Sequence, residues 1–292
     1  MMNAYRIALD VRAGLGEGPV WCPREHVLYW LDSRLGLFNR FDPESGENRS
    51  WQMPEPIGSF ALCEGGGIVA ALASGIALVE PATGVPEWLI RVEHAAEGMR
   101  FNDGKCDRRG RFWTGTMVEH LKAPALAALY RVDAGRRVEK VLDGVRMTNG
   151  IGWSPDDATM YFTDTAAATI VALDYDIESG TVANRRPFVT TTPETGWADG
   201  LTVDAEGGVW SAGFGRGRLN RYAPDGSLDR VIELPVQQVT SVMFGGPDLS
   251  TLYVTTAGAA VRKPGERTEH MAGMLFAVEP GVRGLPEPRY RD

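Results

Sequence analysis

The sequence predicts an all-β fold: a six-bladed β-propeller of four-stranded antiparallel blades, with an N-terminal strand closing the last blade. Three observations lead there. Met147–Asp176 reads as short alternating runs (Ile151–Trp153, Thr159–Thr163, Ile170–Tyr175) broken by Ser154-Pro155-Asp156-Asp157 and by an Asp-Ile-Glu-Ser-Gly turn, the pattern of an antiparallel meander. No apolar stripe at helical spacing lasts ten residues in that stretch, so helix is the poorer reading. The unit also recurs. Its copies are anchored at Glu17, Gly58, Asn102, Asn149, Asp199 and Thr240, with gaps of 41, 44, 47, 50 and 41 residues. A 40–50-residue period with three or four strands per unit is the mark of a propeller.

The copies are related residue by residue. Asn102–Trp113 matches Asp199–Trp210, with Asp107 on Asp204, Gly110 on Gly207 and Trp113 on Trp210. Glu17–Tyr29 matches the Asn149 copy, with Trp21 on Trp153 and Pro23 on Pro155. The copies near Gly58 and Thr240 are fainter. In chain order, Tyr5–Leu9 alternates and precedes the first anchor, so it supplies the outer strand that blade 6 lacks after Met274–Val278. Blade 1 continues through Val27–Leu31 and Leu37–Phe41, and blade 2 through Ile68–Ala73 and Ile76–Glu80. Blades 3 and 6 carry longer excursions, after Trp113 and after Thr256, of the kind that bears function on rigid scaffolds. The repeats fill residues 1–292 without a linker, so one domain is expected.

Composition narrows the class. The 35 glycines suit a fold made of tight turns. A net charge of −8 with no basic cluster argues against nucleic acid or an anionic membrane as partner. No run approaches the ~20 apolar residues of a membrane-spanning helix, and the first residues lack the pattern of a signal peptide. Cys22, Cys63 and Cys106 are odd in number and far apart, which reads as buried, reduced thiols in a cytoplasmic protein. A monomer or weak oligomer is expected.

In a propeller the inner strands line a central channel, and equivalent residues converge at one mouth. The six anchors precede those strands and should form a ring. Five of them can present oxygen and two are carboxylates, a set suited to a hard divalent cation such as calcium, magnesium or manganese. Asn149-Gly150 or Asp199-Gly200 alone would pass as a turn. Glu17 is not a turn former, and the shared register across blades favours a metal ring. There is no Gly-x-Ser-x-Gly elbow, no His-x-x-x-His pair and no phosphate loop. Asp32 and Asp164 read as loop caps. Trp197, two residues before Asp199, reads as either an apolar wall beside the site or core.

Gly16-Glu17-Gly18-Pro19-Val20-Trp21, Arg100-Phe101-Asn102-Asp103-Gly104-Lys105, Gly115-Thr116-Met117, Thr148-Asn149-Gly150 and Ala198-Asp199-Gly200 resemble the regucalcin/gluconolactonase-like family, which includes senescence marker protein, sugar lactonases and luciferin-regenerating enzyme. The resemblance implies a six-bladed propeller that binds one divalent cation (calcium, magnesium, manganese, zinc or iron) and hydrolyses sugar lactones. By motif, Glu17, Asn149 and Asp199 correspond to metal ligands, Arg100 and Asn102 to residues that contact the sugar, and Asp199 also to the acid/base. One departure stands out. Family members of the regucalcin type carry a substrate-contacting Glu shortly after Gly-Thr-Met, where register from Asn102 places His120, with Glu119 one residue earlier.

The expectation is a metal-dependent hydrolase converting a sugar lactone to the sugar acid. The rivals are a non-enzymatic calcium-binding propeller scaffold and a metal-dependent ester or phosphotriester hydrolase on the same frame.

Overall fold

The computed structural model describes residues 5–120, 124–258 and 270–292. Within them, six four-stranded antiparallel sheets are each ordered inner to outer along the chain, except the last. In blade 6 the outer strand is Tyr5–Leu9, paired antiparallel with Leu275–Val278. The ring is thus closed by the N-terminal strand completing the sheet that the last blade's three strands begin. Inner strands Gly16–Cys22, Ile57–Leu62, Met99–Cys106, Thr148–Trp153, Trp197–Val203 and Val239–Gly245 touch their neighbours in cyclic order around the channel.

The core is divided among the blade interfaces. Trp21, Trp30 and Phe41 of blade 1 pack with Met243, Tyr253 and Leu275 of blade 6. Trp113 of blade 3 packs with Trp153 and Phe162 of blade 4. Four further apolar layers fill the remaining four interfaces. This is why the inner and middle strands are buried along most of their length: both of their faces are covered.

The repeated Asp-x-x-Gly-x-x-Trp pattern has a structural cause. Asp107 Oδ2 accepts from Trp113 Nε1 at 3.0 Å and Arg111 Nε at 2.6 Å. In the equivalent copy, Asp204 Oδ2 accepts from Trp210 Nε1 at 2.8 Å and Arg221 Nε at 2.7 Å. In each, Oδ1 caps the turn by accepting backbone N–H groups. Both aspartates are fully buried, so the guanidinium and turn donors are what make a buried carboxylate tolerable.

All six inner strands carry a β-bulge at the anchor position. Pairing slips between Phe101 and Gly104, Thr148 and Ile151, Ala198 and Leu201, Ile57 and Ser59, and Val239 and Ser241, and directly after Glu17 in blade 1. An extra residue on one strand bends it and re-aims its side chains. Here the bend falls at the anchor, at the mouth end of each inner strand. It also brings adjacent inner strands close together. A Cβ on Gly150 would lie 2.3 Å from Leu201 N, and one on Gly200 would lie 2.1 Å from Ser241 Oγ. The residue after those anchors must therefore be glycine.

The opposite end of the channel is covered by the C-terminal tail. Gly284 bridges to Asp204, and Tyr290, fully buried, bridges to Cys63. Between them Glu287 faces Lys105, whose Nζ is 4.0 Å away and also donates to Leu201 O at 3.0 Å. The three cysteines are free and buried. Burial pushes the Cys63 thiol up to about 12 and Cys106 well above its usual range, so neither supplies a thiolate nucleophile. Asp32 and Asp164 are loop caps: Asp32 accepts from Gly14 and Leu15 N–H, and Asp164 from Arg146 and Met147 N–H.

Candidate active site

Four of the six anchors, Glu17, Asn102, Asn149 and Asp199, gather at the mouth, and a directional chain of hydrogen bonds across three blades links Asn102 and Asn149 to the residue before Asp199. Arg100 Nη1 donates to Asn102 Oδ1 at 2.8 Å and to Phe101 O at 3.0 Å. Asn102 Nδ2 donates to Thr148 O at 2.7 Å and to Asn149 Oδ1 at 3.2 Å. Asn149 Nδ2 donates to Thr165 Oγ1 at 2.9 Å, and Thr165 in turn donates to Ala198 O at 2.7 Å. Each link fixes the next. With its NH2 committed to Thr165, the Asn149 amide presents its oxygen on the side of Asn102. The chain ends on the residue before Asp199.

The charges at this end of the channel are crowded. Glu17 has its pKa raised well above the usual carboxylate range, chiefly by burial and then by the Asp199 and Asp103 carboxylates. Asp199 is raised likewise by burial and by Asp103, while the Gly200 N–H and Arg100 act in the other direction. Three crowded, largely buried carboxylates, with Arg100 and Lys105 as the cations acting on them, favour protonation or a bound cation. Arg100 is the nearby counter-charge. Burial lowers its pKa, and Glu119 and Glu17 partly restore it.

Residues 15–258 match the model of the SMP-30/gluconolactonase/LRE-like region. The chain belongs to this family. It is 39% identical over 278 residues, 94% of each chain, to a 6-deoxy-6-sulfogluconolactonase of Pseudomonas putida. It is 36% identical over 292 residues to a pentonolactonase of Haloferax volcanii, covering 99% of this chain and 98% of that one. Its backbone superposes on that of regucalcin, a calcium-binding protein of Agrobacterium tumefaciens, with a TM-score of 0.91 at 30% identity, covering 99% and 98% of the two chains.

Against the expectations for this SMP-30/gluconolactonase-like chain, the ring is partly different. Gly58 lies against the Phe101 and Asn102 carbonyls and has no side chain to offer. Thr240 is fully buried, its hydroxyl donating to Gly16 O at 2.5 Å and paired with Thr255. It joins blade 6 to blade 1 and does not line the mouth. Two residues the sequence reading missed take part. Asp103 lines a cavity of about 20 Å³ below the mouth, together with Gly18, Lys105, Ser241 and Glu287. Thr165, on the 3-10 turn Thr165–Ala167, links Asn149 to Ala198. The bulge that adds one residue leaves both Asn102 and Asp103 out of the ladder, which brings Asp103 into play. On the blade 3 excursion, Glu119 sits beside Arg100, Oε1 to Nε 3.4 Å; no contact joins His120 to Arg100 among the described residues. The blade 6 excursion at 259–269 lies outside the described residues.

Among the described residues no cluster of three or more His, Cys, Asp and Glu side chains is arranged to hold a metal. The oxygens of Glu17, Asn149 and Asp199 nevertheless fit a hard divalent cation: two carboxylates supply its balancing charge, and the amide oxygen is aimed by its own hydrogen bond to Thr165. A soft-metal set is excluded by the donors, since the buried thiols lie elsewhere.

Proposed function

We propose that the chain hydrolyses a sugar lactone to the open sugar acid, using a divalent cation held by Glu17, Asn149 and Asp199. The observation that carries this reading is the hydrogen-bond chain from Arg100 through Asn102 and Asn149 to the residue before Asp199. A guanidinium and an amide suited to gripping hydroxyls, next to carboxylates suited to holding a metal and moving a proton, support this reading. A bound cation would supply a Lewis acid for the lactone carbonyl.

The protein's own groups account for the rest. Asp199 takes a proton from the attacking water as its oxygen adds to the carbonyl carbon. The ring C–O bond then breaks, and the same proton passes to the departing ring oxygen, giving one acid and one hydroxyl. Arg100 and Asn102 hold ring hydroxyls and the developing oxyanion in register. Glu119 keeps the Arg100 fork oriented and offers a carboxylate acceptor for a hydroxyl. A calcium-buffering scaffold would have no use for Arg100, whose charge opposes cation binding. The lactonase names of the relatives support the same reading.

The test is a screen of sugar lactones by acid release at constant pH, with and without chelator, alongside aryl esters and a phosphotriester. Chelator-sensitive opening of at least one aldonolactone is expected. Turnover of only the aryl ester or phosphotriester would overturn the assignment of substrate.

A further inference from the structure

Beside the mouth, on the same face, lies a groove of about 460 Å³ that the reaction above does not use. It runs between blades 4 and 5, lined by Ala168, Thr191, Thr192, Trp197, Phe214 and Arg216. Trp197 opens the inner strand of blade 5 two residues before Asp199, and 43% of its surface is exposed, whereas its neighbour Ala198 is 3% exposed. It is not core. Phe214 is its cross-strand partner, so two aromatic rings share one end of blade 5. Ala168, Gly196 and Gly215 line the groove with little or no side chain. Polar groups complete the lining. Thr192 Oγ1 already accepts from Glu194 and Thr195 N–H, so what it has left to offer is its O–H. Arg216 is fixed by its Nε donating to Pro193 O.

The groove is physically joined to the mouth. Ala168 caps the 3-10 turn that begins at Thr165, and Thr165 bridges Asn149 to Ala198. Thr191 N donates to Ala168 O at 2.9 Å, tying the crossing loop to the same turn. One end of the groove is therefore set by the residues that position Asn149 and Asp199. An exposed indole with hydroxyl and guanidinium donors around it is a platform for the apolar face of a sugar ring. The volume falls in the range of small-ligand sites and exceeds what one pyranose needs.

We propose that this groove is a second subsite, which takes the glycosyl unit of a disaccharide lactone while the lactone ring occupies the mouth. The inference rests on the lactonase reading for the reacting ring, but the binding of the second ring is separately measurable. Gluconolactone and cellobionolactone are compared as substrates of the parent, Trp197→Ala, Trp197→Phe and Arg216→Ala. The parent should turn over cellobionolactone with kcat/KM at least equal to that for gluconolactone. In Trp197→Ala the ratio of the two kcat/KM values should fall about tenfold, mostly through KM, and Trp197→Phe should recover most of it. Arg216→Ala should lower the same ratio by a smaller factor. Unchanged ratios in both alanine variants would overturn the subsite.

The independent readout is binding of cellobionate, which has no scissile bond, followed by saturation-transfer NMR to the indole protons and by quenching of tryptophan fluorescence. Binding that Trp197→Ala abolishes, in a protein that opens no lactone, would leave the subsite standing and sink the lactonase reading. Hydrolysis of gluconolactone without any Trp197-dependent cellobionate binding would do the reverse.

Discussion

Arg100→Ala separates an enzyme from a metal-binding scaffold. Arg100 is nearly buried, with 15% of its side chain exposed, and its Nη1 holds Asn102 Oδ1 at 2.8 Å while Nε lies 3.4 Å from Glu119. Truncation removes the donor fork and also frees the Asn102 amide, the next link toward Asn149. A hydrogen bond involving a charged group contributes about 1.5–3 kcal/mol. Loss of one such contact to the transition state, with some loosening of Asn102, amounts to about 1.5–4 kcal/mol. That is roughly a tenfold to thousandfold drop in kcat/KM. The cation responds in the opposite sense: with a like charge gone from the rim, its affinity should hold steady or rise by about a few-fold. Arg100→Lys is the control, since it keeps the charge and loses the planar fork, and should recover only part of the rate.

The assay is lactone opening followed by acid release, with metal affinity measured by titration and the fold checked by circular dichroism. A variant that opens every lactone as fast as the parent would show that Arg100 does not touch substrate. A rate loss fully restored by added metal would move Arg100 from substrate contact to support of the cation site.

Further predictions follow from the same geometry. Chelation should abolish activity and leave the melting transition in place within a few degrees, because the blades close through six apolar interfaces that need no ion; unfolding at room temperature would make the cation structural. Glu17→Gln keeps the size and removes one of the two ligand charges, so activity should fall and be partly rescued by excess metal; an unchanged metal titration would remove Glu17 from the cation's shell. Thr165→Val leaves the Asn149 NH2 and the Ala198 carbonyl without their shared partner, which should cost about 2 kcal/mol of stability and weaken metal binding; a variant matching the parent in both would mean that the chain from Arg100 transmits nothing. Glu287→Gln tests the far end of the channel. Burial, only partly offset by Lys105 and Arg108, raises its carboxyl above the ordinary 4.5, so the native state holds that proton more tightly than the unfolded chain does. The stability this gives is present at low pH and is lost as pH rises from 4.5 through the folded value. The variant should therefore lose less stability than the parent over that window, as read by urea midpoints against pH; parallel curves would refute it.

The blade count, the closing strand and the positions of the anchors on the inner strands were legible in the sequence because each has a one-dimensional signature. Turns recur at a fixed period, Tyr5–Leu9 alternates with no partner of its own, and the anchors stand in register before apolar runs. The Asp-x-x-Gly-x-x-Trp match between two blades was legible for the same reason, and its buried Asp–Arg–Trp cluster explains the spacing. The C-terminal tail was not legible in this way: it crosses the channel by isolated bridges, which leave no periodicity.

What failed to read out of the sequence turns on single-residue parity. A repeat alignment assigns one residue per blade to the mouth, but a bulge adds a residue and so changes which neighbour points inward. In blade 3 the slip between Phe101 and Gly104 leaves both Asn102 and Asp103 out of the ladder, and only one of them had been counted. In blade 6 the slip between Val239 and Ser241 holds Thr240, yet a carbonyl, Gly16 O, lies within reach and captures the hydroxyl. Just beyond the strand Phe112–Val118 the same parity decides between Glu119 and His120, and the carboxylate falls beside Arg100. Trp197 is the mirror case. Its spacing of two from Asp199 was compatible with wall or core, and its 43% exposure takes it out of the core, with its ladder partner Phe214 lining the same groove. The specificity of this site is therefore written less in the residues that point at the substrate than in the bulges and glycines that decide which residues do.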